Sequence, residues 1–386
     1  MQTAFLRRGL SVAAVVTAVV LAGCASGAAE EEAARAAAEA AAAAHRAPPV
    51  SLGDSVADSA SIYLAFTRDM AAIEGGFESP EAVQAALRRG SAYNPDQLSQ
   101  GLIAYASIIA LQSPEFVAGV RQYASHRPTR ERLVTGIIAD PRQASYLPGS
   151  QAAAGLIMAA LRNDIDALSR AADSIENDAY AVQARQDPRR RWAVTPGGDP
   201  VGRLDAAKAR SSEPMRPSAA DAAGLLAAAH SGAGLPVSGS VRQPPYPLAV
   251  ERALALAALA ALGAAGDAAR ADTDALQREP VSQACLASSK LNLFQCLAAS
   301  RPSYEDMFCL GRHIVRDLAT CTRGVAMPAA VVSVSDVVPV GPPVAPAAAP
   351  PVIVTPPTTP PAAPAPSSRP APSPTERLNT GANTPE

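Results

Sequence analysis

CLASSKLNLFQCLAASRPSYEDMFCLGRHIVRDLATC, residues 285–321, holds four of the chain's five cysteines around a single proline. Read as two helices, about Val281–Ser300 and Ser303–Thr320, meeting at Pro302, the stretch has a cysteine spacing that chooses its connectivity. Cys285 and Cys296 then stand about 16 Å apart along one helix, well beyond the ~7 Å between Cα atoms that a disulfide permits. Pairing within a helix is excluded. In an antiparallel hairpin partners lie symmetrically about the turn, and the nested pairs Cys285–Cys321 and Cys296–Cys309 share one centre, at Pro302. The twelve residues from Cys309 to Cys321 turn an α-helix about 120° past register, so the second helix is expected to bend or end early. This stretch sets the expected fold class as mainly α, an irregular multi-helix bundle or array with a disulfide-stapled hairpin.

Composition agrees with that class. The chain has 386 residues, 48% of them hydrophobic but only 4% aromatic, and the apolar share is mostly Ala and Leu. Such a sequence favours helices packed closely over small side chains, because strands draw on branched and aromatic residues. A formal net charge of −2 provides no global field that would recruit nucleic acid.

The N-terminus supplies an address. Arg7 and Arg8 close a short basic segment, and Gly9 to Leu21 form an apolar run of about 13 residues. Crossing a bilayer takes roughly 20 apolar residues, so this run fits a cleaved signal. Leu21-Ala22-Gly23-Cys24 follows and resembles the lipobox of bacterial lipoproteins. The resemblance implies cleavage before Cys24, a thioether-linked diacylglycerol and usually an N-acyl chain such as palmitate on that cysteine, and stable anchoring by two or three chains. Ala25 stands where an Asp would retain such a protein in the inner membrane under the enterobacterial sorting pattern, which implies the outer membrane, facing the periplasm. An exported chain meets an oxidising compartment, where the four remaining cysteines are expected to pair. The paired arrangement resembles the twin-cysteine helical hairpins of exported and mitochondrial intermembrane-space proteins, a likeness that covers the staple and carries no function.

The order along the chain follows. Residues 1–23 are the expected signal peptide and 24–50 the lipid anchor with an Ala/Glu helical spacer, ended by Pro48 and Pro49. Residues 51–185 are expected to form a helical domain, beginning with a helix of about Ser55–Ile73. Ser79-Pro80-Glu81, Asn94-Pro95-Asp96 and Ser113-Pro114-Glu115 each place a capping side chain, then a proline whose missing N–H is not needed, then an acid at the positive helix end. Further helices are expected at Thr129–Ala139 and from Ser150 past Ile175, with sequential neighbours packing together. No fixed repeat period emerges, and the tetratricopeptide positions are not filled in series. Residues 186–247 are expected to be a Pro/Gly-rich linker with one short helix, Ala219–His230. Residues 248–327 are expected to be a helical region, opening with a buried helix at Leu248–Ala264 and ending in the cysteine hairpin. From Pro328 to Glu386 the composition of Pro, Ala, Val, Thr and Ser cannot support a core and favours a disordered, extended tail, with Val331–Val338 a short β-prone segment within it.

No catalytic, cofactor or metal constellation stands out. A zinc site made from the cysteines with His313 lacks the close ligand pairs that structural zinc uses, and His45, His126, His230 and His313 sit in separate segments. There is no Gly-x-Ser-x-Gly elbow, His-Glu-x-x-His or phosphate-binding glycine loop. Arg189-Arg190-Arg191-Trp192 sets the densest basic cluster beside the chain's one tryptophan, and suits anionic lipid, the acidic face of a partner or a solvated loop with a packed indole. The expected function is a non-enzymatic, lipid-anchored envelope protein that scaffolds or binds an envelope or cell-wall partner, with the membrane as its other contact. The alternatives are a cell-wall-modifying enzyme, with Glu74 or Glu305 as general acid, and a periplasmic carrier of an apolar ligand. An acid pair in a cleft would mark the enzyme, a closed apolar cavity the carrier, and an exposed apolar groove the binding module.

Overall fold

The computed structural model describes residues 31–39, 46–184, 188–196 and 199–328. The expected signal peptide, Cys24, His45 and the segment Val331–Val338 lie outside these residues, as does the expected tail from position 329 on. Among the described residues the structure is helical, and β pairing is limited to two isolated bridges, Leu52 to Ala265 and Pro196 to Pro302. Helix α1, residues 31–39, is exposed along its whole length. The body then comprises α2 (Asp54–Ala71), α3 (Pro80–Ser91), α4 (Pro95–Ala110), α5 (Pro114–Arg121), α6 (Arg127–Ala139), α7 (Ser150–Ala184), α8 (Arg191–Val194), α9 (Pro200–Ser212), α10 (Ala219–Ser231), α11 (Leu248–Ala261), α12 (Arg270–Gln277), α13 (Pro280–Ala299), α14 (Ser303–Leu310) and α15 (Asp317–Ala326).

The caps explain where the early helices start. Ser79 Oγ accepts from the Ala82 N–H, Asn94 Oδ1 from Asp96 and Gln97, and Ser113 Oγ from Phe116, each with proline at the first helical position. These bonds satisfy N–H groups that a helix start otherwise leaves unpaired. His126 caps α6 in the same way through Nδ1.

Two apolar helices form the centre. Every residue of α11 from Ala253 to Ala261 is buried, and α4 is buried throughout Gly101–Ala110. Their small side chains let neighbours approach closely. A Cβ on Gly101 would lie 2.8 Å from Tyr63 Cβ and against the Ser59 carbonyl oxygen, so the α2–α4 crossing requires glycine there. Packing is mostly non-sequential, contrary to the expectation for short linkers. Helix α2 lies on α4 and α10, α11 lies on α4, and α14 and α15 lie on α7. At the capped Ser113-Pro114 turn α4 and α5 meet at 86°, which sends these two consecutive helices apart. Among the described residues no single helix is long and apolar enough to cross a membrane.

Residues 186–247 do not behave as a linker. The stretch is dense in proline, yet a helix not expected there, α9, fits between Pro200 at its first position and Pro214 beyond its end. Asp199 caps α9 from a left-handed conformation (φ 51°), its carboxylate accepting the Gly202 N–H at 2.8 Å. Ala193, Ala207, Leu225 and Ala229 are buried, and one continuous core runs from Leu52 to Met327. The boundaries expected at 185 and 247 are not boundaries of this core.

The cysteine hairpin has the nested pairing. Cys285–Cys321 and Cys296–Cys309 are disulfides with Cα atoms 5.6 and 5.7 Å apart. The expected mismatch of about 120° is removed without an early end. Residues Gly311–Arg316 form a π-helical segment, and α15 continues to Ala326. A π turn takes up one residue more than an α turn. The twelve residues between Cys309 and Cys321 therefore advance like about eleven α-helical steps, within about 20° of whole turns, matching the spacing of Cys285 and Cys296. Arg316 fixes the segment to α7 through Glu176 and Asp173, each at 2.6 Å.

Candidate functional site

The inner disulfide forms one wall of an open cleft of about 400 Å³ between the end of α7, the end of α13 and α14. Helix α7 is 35 residues long and carries Tyr180 and Gln183 to this end of the molecule. From α14 come Tyr304, Glu305 and Phe308, one and four residues apart and thus on adjoining faces of a single turn. Tyr180 is 52% exposed, and its ring meets Phe308 edge-on at 5.9 Å. Phe308 in turn meets His313 at 6.3 Å.

The polar groups of the cleft are held by local bonds. Glu305 accepts the Arg301 N–H at 2.7 Å and the Tyr304 hydroxyl at 3.4 Å. The next residue along the chain, Asp306, is fully buried, accepting from Ser300 Oγ at 2.6 Å and Gln84 Nε2 at 2.7 Å, with Arg203 at 3.5 Å. Burial pushes the Asp306 carboxyl up, against the lowering effect of the Ser300, Arg203 and Gln84 contacts. This carboxylate joins α3, α9 and α14 with the end of α13.

Comparison with protein families, with curated proteins and with solved structures returns no match. Aromatic faces at an open mouth, with one amide and one carboxylate at the rim, give apolar contact area with a few orienting hydrogen bonds. Such a surface selects a ligand by shape and burial, with little chemistry of its own to offer.

The other residues singled out from sequence are dispersed. Glu74 is exposed in the turn after α2 and does not line the cleft, so the two acids proposed for an enzyme share no site. His230 Nε2 accepts the Leu52 N–H at 3.4 Å, and His313 lies 3.5 Å from Asp317. The four cysteines are joined as disulfides and offer no thiolate to a metal. In the basic cluster, Arg190 makes a two-pronged ion pair with Asp178 and lies 5.8 Å from the half-buried Trp192 ring. Burial pushes the Asp178 carboxyl up, but bonds from Arg190 and the Gly76 N–H outweigh it and hold the group below its usual value.

Two features escaped the sequence. Tyr63 Oη, Thr67 Oγ1 and Asp164 Oδ2 are shut away from solvent without a hydrogen bond, brought together from α2 and α7. Lys290 donates to the Tyr93 carbonyl oxygen and lies over the Tyr93 ring at 4.3 Å, and burial lowers its ammonium to about 8. Neither has a local signature, because each forms only when segments at least a hundred residues apart pack together.

Proposed function

We propose that this chain is an envelope lipoprotein, anchored through Cys24 and facing the periplasm from the outer membrane, whose body binds a partner and is not an enzyme. The observation that carries the reading is the open aromatic cleft at the inner disulfide. Of the three marks set out from sequence, an exposed apolar groove fits it, since the cleft is open and holds one carboxylate already engaged by Arg301 and Tyr304. The exposed helix 31–39 suits a spacer between lipid and body, and the proline-rich stretch after residue 328 suits a reach toward a second component.

Two measurements test the proposal. Metabolic lipid labelling should mark the wild-type chain, while Cys24→Ser should abolish the label and leave uncleaved precursor; normal maturation of the variant would sink the lipoprotein reading. A photo-crosslinking residue at position 180, introduced in living cells, should capture one defined envelope component. The adduct should disappear when Phe308→Ala removes the ring beside it. Capture indifferent to Phe308, or hydrolysis of wall fragments by the purified protein, would remove the binding-module reading.

A further inference from the structure

Where the chain enters the body, Arg46–Val50 crosses α5, α6 and the end of α11 as a strap. The Ser51 N–H donates to the Ala260 carbonyl at 3.0 Å, and Arg121 Nη1 donates to the carbonyls of Pro48 and Ala261 at 2.9 and 3.3 Å. Beside the strap is an open cavity of about 490 Å³, lined by Arg46, Pro48 and Pro49 of the strap and by Arg127, Arg130 and Glu131 of α6. Three guanidinium groups thus face one carboxylate. Glu131 is taken by Arg127 at 2.7 Å, and Arg130 donates to the Ala124 carbonyl at 2.7 Å. Among the described residues neither Arg46 nor Arg130 has an ion pair. The chain's net charge is −2, so this concentration of cations is local.

We propose that this pocket seats the phosphate of an anionic phospholipid headgroup and so lays the α6 side of the body on a membrane surface. Guanidinium pairs match phosphate oxygens in geometry as well as charge, and the two prolines offer an apolar wall to the glycerol next to it. Position supports the assignment, and here it rests on the lipoprotein reading of Cys24. The strap begins 22 residues after that cysteine, a reach of about 33 Å as a helix and about 75 Å fully extended, so this end of the body stays nearest the anchor. The Arg189–Arg191 cluster is a weaker seat, because Arg190 is already held by Asp178.

The test uses the full mature chain, residues 25–386, exported behind an ordinary cleavable signal so that it carries its disulfides and no lipid. It is floated with phosphatidylcholine vesicles made with and without phosphatidylglycerol. Binding should require phosphatidylglycerol and weaken as salt rises. Arg46→Gln with Arg130→Gln should lower the partition coefficient about 25-fold, each cation contributing about fivefold. Arg210→Gln, on exposed α9 and paired with Glu213, should leave binding unchanged. Circular dichroism and the disulfide map confirm that each variant is folded. Equal binding to both vesicle types, an unaffected double variant, or an equal loss in Arg210→Gln would overturn the proposal. Saturable binding of inorganic phosphate alone at micromolar concentration would also overturn it, assigning the pocket to a free anion. Lipid labelling of Cys24 in cells is read separately, so failure here and failure of the anchor are distinguishable.

Discussion

Burial drives the Asp164 carboxyl up to about 6, against the opposing pull of the Arg68 charge, because its ion is poorly compensated where α2 and α7 meet. A carboxyl whose folded pKa lies above its unfolded value takes up a proton on folding. Its contribution to stability is therefore most favourable below about pH 4 and is lost as pH rises to about 6. Asp164→Asn should stabilise the protein by about 1–2 kcal/mol at pH 7, allowing for the group's partial exposure, and by nothing at pH 4. Denaturant titrations at the two pH values check this, and a variant less stable than wild type at pH 7 would contradict it. The position was not legible in the sequence: it falls on the polar side of α7, and the residue facing it, Tyr63, is about a hundred positions away. Capping residues such as Ser79 and Asn94 were legible, because a cap and the N–H groups it serves are two or three residues apart.

At the scale of elements, the cysteine spacing foretold the hairpin and the mismatch in it, but not how the mismatch is resolved. A π segment leaves no mark in composition, and the signal for it was the count of twelve between Cys309 and Cys321 against eleven between Cys285 and Cys296. Removing one residue from the segment, the exposed Arg312, should convert it to α-helix and equalise the two spacings. Both disulfides should then still form, with little change in melting temperature. Free thiols or mispaired cysteines in the deletion variant would show that the π turn does not set the register. Helix α9 was missed for a different reason. Asp199-Pro200 has the same cap-then-proline pattern that marked α3, α4 and α5, but the density of prolines around it suggested a loop.

For the molecule as a whole, mainly helical architecture followed from an Ala/Leu-rich composition, whereas the joining of both halves into one core did not. Helices α13 and α15 pack on α4 and α7, so the staple belongs to the central packing and not to a terminal appendage. The inner loop is worth about 3 kcal/mol by chain entropy and the outer one somewhat more. Reduction should therefore weaken amide-exchange protection in α4 and α7 as well as in α13–α15, and loss confined to residues after 280 would point to an independent hairpin. A stapled hairpin holds the aromatic cleft against the end of α7. Non-reducing peptide mapping of the protein taken from the cell envelope tests this most directly. It should yield peptides linking Cys285 to Cys321 and Cys296 to Cys309; a link from Cys285 to Cys296, or four free thiols, would contradict it.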